Sequence, residues 1–143
     1  VKLSDVTDTV LTHLQADPFL AGLEIIANTQ ADHNQRLEGA LRETGLVLVV
    51  VQASGQSPNR DGALLALENE VVVSVLENPA RNTTGKQCLE VAERVLDTLH
   101  QASWASERGL RNTFRVDTPA YEAGPLDSGL IIYFCNFLVK SAP

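Results

Sequence analysis

The sequence predicts an α+β fold, a mainly antiparallel mixed sheet with helices packed on it, in the order α-β-α-β-β-α-β-β. Three observations carry that prediction. Helical and extended segments are segregated rather than regularly alternating. Leu46 to Gln52 and Leu130 to Val139 are apolar on both alternation classes, as in strands covered on both sides. Gly85 to Ser103 sets apolar residues at helical spacing across a wide face. At 143 residues the chain is expected to be one α+β domain, 1–143, with no linker or internal repeat.

Helix one is expected to start at Ser4 or Asp5, whose side chains cap a helix by accepting a backbone N–H bond. Val6, Val10, Leu11 and Leu14 form its apolar stripe. Asp17-Pro18 ends it, because the residue before proline is pushed out of the α region. Leu23 to Ala27 reads as a short strand. Asp32 to Glu43 reads as a second helix with Leu37, Ala40 and Leu41 inward, and Gly45 supplies a left-handed stop.

Leu46 to Gln52 follows as a strand. Ala53 to Gly62 gathers Gly, Ser, Pro, Asn and Asp and reads as a loop. Leu65 to Leu76 is expected to pair antiparallel with the preceding strand, giving a long hairpin with a mobile tip. Glu77 to Asn82 is a turn, and Thr83 or Thr84 is expected to cap helix three, Gly85 to about Ser103. Its inward face carries Cys88, Val91, Ala92, Val95, Leu96, Leu99 and Ala102; Glu90, Glu93, Arg94 and Asp97 lie mostly opposite. Trp104 is expected to anchor the helix end against the sheet. Asn112 to Val116 reads as a short strand, Asp117 to Asp127 with its two prolines as a loop, and Leu130 to Val139 as the final strand.

A net charge of -7 argues against a dedicated nucleic-acid or anionic-membrane binder, a local basic face aside. The apolar run Leu46 to Val51 is six residues long, against about 20 for a membrane span. The start, Val1-Lys2-Leu3-Ser4-Asp5, shows no apolar secretory core. Cys88 and Cys135 read as buried small hydrophobes in a reducing cytosol.

His13, His33 and His100 fall in three separate elements with no metal-binding spacing, so neither a metal nor a cofactor is assigned. The chain has no G-x-S-x-G, no G-x-G-x-x-G and no phosphate-loop motif. Thr83-Thr84-Gly85-Lys86 has the wrong order for a phosphate loop, and helix capping accounts for it better. The start of helix three beside Lys86 still offers a place for an anion. Glu68 and Glu70 share one strand face, as paired acid–base carboxylates do, but exposed strand charge is the commoner meaning. No catalytic residue is assigned. The positive information is the pair of doubly apolar strands. Three modest helices leave two outcomes open: burial of both faces within the subunit, or a leftover apolar face that needs a partner subunit.

Three stretches carry a resemblance. They are Leu14-Gln15-Ala16-Asp17-Pro18-Phe19-Leu20-Ala21-Gly22-Leu23; Val71 to Pro79 running into Leu89 to His100; and the closing Gly129 to Val139. In layout they resemble the tail-terminator, or tail-completion, proteins of long-tailed bacteriophages and prophages. The stretch Asn28 to Thr44 departs from some relatives, reading as helical where they are expected to be extended. The resemblance implies a structural protein rather than an enzyme. It would form a hexameric ring on the head-proximal end of the tail tube, stop tube growth and join the tube to the head. The implied partners are other copies of itself, the tail-tube protein and a head-completion protein, with DNA passing through unbound and no membrane. The implied location is the virion, assembled in the bacterial host cytoplasm. Under that reading Arg60, Asp61, Arg81, Lys86, Arg108, Arg111 and Arg115 are the candidate interface residues. The alternatives are a head–tail connector or neck protein, or a small-ligand-binding domain with a pocket between helix three and the sheet.

Overall fold

The first helix, α1 (Ser4–Ala16), lies along one face of a six-stranded sheet. The computed structural model describes residues 3–57, 67–106, 108–126 and 129–141. α1 starts earlier than expected: Leu3, whose side chain makes no capping bond, is the capping residue, and Ser4 and Asp5 fall inside the first turn. Asp5 there still suits the positive end of the helix dipole. Asp17 ends the helix in an extended conformation, as the following proline requires.

β1 (Glu24–Ala27) and β2 (Leu46–Gln56) are parallel and joined through α2 (His33–Glu43). Gly45 turns the chain from α2 into β2 with φ of 77°. A Cβ there would sit 2.5 Å from the backbone of Arg81, so glycine is required twice over. β2 runs to Gln56, four residues beyond its expected end, because it stays paired with β3 (Leu67–Glu77) across an irregularity between Gln52 and Ser54. The tip of that hairpin, with Arg60 and Asp61, lies outside the described residues.

α3 (Cys88–Leu99) is shorter at both ends than expected. Thr83 and Thr84 do not cap it. Gln87 does, in a capping box with Glu90. The threonine stretch is held as a turn by Asn82, which accepts from the Thr84 N–H at 2.9 Å and donates to the Lys86 carbonyl at 2.6 Å. At the other end, Gln101 donates to the Phe114 carbonyl and Phe114 to that of Ala102. This sheet pairing draws the chain out of the helix into β4 (Ser103–Ala105), a strand the sequence did not predict. Trp104 does meet the sheet, with its ring centroid 5.4 Å from that of Phe114. β5 (Arg111–Ala123) extends through much of the expected loop. Its pairing with β6 (Ile131–Ser141) breaks between Val116 and Tyr121, around the cis Thr118–Pro119 bond, which is how a strand tolerates proline there.

The strand order is β1-β2-β3-β6-β5-β4, antiparallel everywhere except β1–β2. Strand alternation gives the sheet two faces. On one, α1 and α3 bury Leu48, Val50, Val73, Phe114 and Phe137 with Val10, Leu14, Val91 and Val95. On the other, α2 covers Ile26 and Val47 with Ala40, flanked by Leu37, Leu41 and Leu76.

Asp17 fastens the first layer. It is 9% exposed and accepts from Arg94 Nε at 2.7 Å, from the Thr98 hydroxyl at 2.8 Å and from the Phe19 N–H at 2.8 Å. Burial alone pushes its carboxyl up, but these bonds outweigh it and hold the group below its ordinary 3.8. Cys88 and Cys135 are buried free thiols, as expected. Burial, with the Glu77 carboxylate beside Cys88 and Cys88 beside Cys135, pushes both up to about 12. At neutral pH they are inert.

Candidate functional site

The second face of the sheet is only partly clothed. α2 stops at the β1–β2 side and Leu76, so the rows across β3, β6 and β5 have no helix over them. Register assigns these rows. Val49 pairs with Ser74, Ser74 with Phe134, and Phe134 with Glu122. Val51 pairs with Val72 and Val72 with Asn136; Glu70 pairs with Leu138 and Leu138 with Arg115. Val49, Val51, Val72, Phe134 and Leu138 are each left half-buried. This face is therefore mixed: half-buried Val49, Val51, Val72, Phe134 and Leu138 stand among Glu70, Asn136, Glu122 and Arg115, with no helix over them.

One end of this face is charged. Arg111, Thr113 and Arg115 alternate along β5 and so project on the same side. Lys140 on β6 pairs with Glu68 on β3. Together with Leu138 they line a hollow of about 290 Å³ holding three cations and one carboxylate. Arg115 Nη2 lies 3.9 Å from Glu68 Oε1, and both side chains are partly exposed. Glu70 accepts from the Ser54 hydroxyl at 3.1 Å. Glu68 and Glu70 thus have separate partners.

Of the seven candidate interface residues, the fold brings together Arg111 and Arg115. Arg108 is exposed in the turn between β4 and β5. Arg81 is exposed after β3 and donates to the Arg42 carbonyl at 3.4 Å. Lys86 is turned inward, donating to the Phe19 carbonyl at 2.5 Å with its Nζ 4.7 Å from the Phe19 ring centre. The start of α3 is filled as well: Glu77 accepts the Cys88 N–H at 3.1 Å, so the protein's own carboxylate takes the anion's place. Arg60 and Asp61 lie outside the described residues.

Sequence reasoning missed Lys140 and the pairing of Glu68 with Arg115. The Arg111-Thr113-Arg115 alternation was visible in the sequence, but the β3–β6 register that adds Lys140 was not. Among the described residues no group of three His, Cys, Asp or Glu side chains is placed to hold a metal ion. None of the described helices is long and apolar enough to cross a membrane.

The arrangement is a set of half-buried apolar side chains ending in a basic hollow. No known protein family matches the chain, and no curated protein matches it. A solved structure does. The fold is similar to that of a chain in a structure described as "Virion of native gene transfer agent (GTA) particle", with a TM-score of 0.60. The likeness covers 94% of this chain and 92% of that one, at 18% identity. What the two share is the whole fold.

Proposed function

We propose that this protein is a structural component of a phage-like particle, acting as a tail terminator. Copies form a ring, expected to be hexameric, that caps the head-proximal end of the tail tube, stops its growth and joins it to the head. The carrying observation is the fold, matched end to end by a virion chain. The helix-free part of the sheet, where half-buried Val51, Val72, Phe134 and Leu138 keep some apolar surface open, supports the same reading, because a partner subunit can cover it. The partners are further copies of this chain, the tail-tube protein and a head-completion protein. DNA passes through the ring without specific binding, in keeping with the net charge of -7. The protein works in the virion after assembly in the host cytoplasm, and its mechanism is surface complementarity rather than catalysis. One ring face matches the tube end. The other presents a different surface and so refuses a further tube ring.

Light scattering after size exclusion, with negative-stain electron microscopy of the same fractions, tests this. Rings of six times the chain mass that bind the ends of tail tubes are the expected result. A monomer at every concentration that also fails to bind tube ends overturns it.

A further inference from the structure

We propose that neighbouring subunits join unlike faces, the open sheet face of one copy docking on the outward side of α3 of the next. This rests on the ring reading above and says which surfaces build the ring. The open face offers half-buried Val51, Val72, Phe134 and Leu138, then the cations Arg111, Arg115 and Lys140 around Glu68. In a chain of net charge -7, a gathering of three cations calls for an acidic occupant.

The chain carries such an occupant on the other side of its own sheet. The outward side of α3 shows Glu90, Glu93 and Asp97, all exposed. Arg94, the cation among them, is drawn back to Asp17 by its 2.7 Å bond. Leu89 on the same helix is 50% exposed. Its neighbour Cys88 reaches the Ile131 carbonyl at 3.6 Å, and Ile131 and Tyr121 are also exposed, Tyr121 lying 6.0 Å from Tyr133 between ring centres. The α3 side is therefore acidic with apolar anchors, and the open face is mixed with a basic end.

Two like faces would set cations on cations. Two unlike faces satisfy both. They also lie on opposite sides of one sheet, so the contact is heterologous: each copy offers a donor surface and an acceptor surface, and a suitable rotation closes the ring. A nucleic-acid backbone fits the face less well, because it would leave half-buried Val72, Phe134 and Leu138 uncovered, whereas the α3 side brings exposed Leu89 along with its carboxylates.

Charge reversal on the full chain tests the pairing. Arg111→Glu with Arg115→Glu is expected to weaken assembly about 10- to 100-fold, and Glu93→Lys with Asp97→Lys to do the same. The chain carrying all four substitutions is expected to recover the ring. All are surface positions, and thermal unfolding followed by circular dichroism verifies that each variant is folded. If the unmodified chain forms rings and both double variants form them equally well, the pairing is overturned and the ring reading stands. Loss in the double variants without recovery in the fourfold variant also overturns it. Retention on linear duplex DNA at low salt, abolished by Arg111→Glu with Arg115→Glu while rings persist, overturns it in favour of a phosphate occupant. A chain that forms no ring, even on tail-tube ends, removes the ring reading and this pairing together.

Discussion

On one face of the sheet, α1 and α3 bury Phe114, Phe137, Val73 and Leu48 completely. On the other, α2 alone covers Ile26 and Val47, and Phe134 and Leu138 in the same strand as Phe137 are left half-buried. The fastenings differ in the same sense. The first layer is pinned by Asp17, a buried carboxylate with three donors. The second is pinned by Arg36 on Glu24 at 2.5 Å, with side chains 34% and 39% exposed. One largely apolar strand thus presents two differently covered sides. Cys135, Phe137 and Val139 are buried under the helices, while Ile132, Phe134, Asn136 and Leu138 on the other side stay half-buried.

The difference can be broken most sharply at Phe137. Phe137→Ala is expected to cost about 3–5 kcal/mol of unfolding free energy, read by urea denaturation. Asp17→Asn comes next, at roughly 1–3 kcal/mol, because Arg94 and Thr98 lose a charged acceptor. Its pH dependence is the more specific sign. A carboxyl held below 3.8 in the folded state contributes stability that is complete above that value and is lost as pH falls through the lowered folded value. Acid denaturation profiles should therefore show a loss below pH 3.8 in the unmodified chain that the Asp17→Asn variant lacks. Phe134→Ser is expected to cost the monomer less, about 1–2 kcal/mol, since the side chain is only partly buried. It should nevertheless lower the assembled mass seen by light scattering. A loss as large as that of Phe137→Ala would abolish the distinction between the faces. Glu24→Gln is the smallest, within about 1 kcal/mol, as for a partly exposed pair.

Much of this is legible in the sequence. The helical stripe Val6, Val10, Leu14 and the inward set Val91, Val95, Leu99 stand where their period placed them. The double apolarity of Leu46 to Val51 and Leu130 to Val139 foretold a sheet needing cover on both faces. Errors collected where distant hydrogen bonds decide. Asn82 unwinds the expected start of α3 through bonds to Thr84 and Lys86, while Phe114 captures Gln101 and Ala102 from its end. The basic hollow was half legible. Arg111 and Arg115 share a period-two pattern, but Lys140 joins them only through the pairing of β3 with β6, strands separated by α3, β4 and β5. No local pattern encodes that register.

The margins of the sheet carry their own instruction. β1 has four residues and β4 has three, each too short to template another strand. Beyond β1, the free side of β2 is kinked between Gln52 and Ser54, and β5 carries Pro119 where its ladder is interrupted. Among the described residues, each outer border of the sheet is short, bent or stripped of a donor. Concentrated solutions of this chain are thus steered away from cross-strand fibres and toward association through side chains.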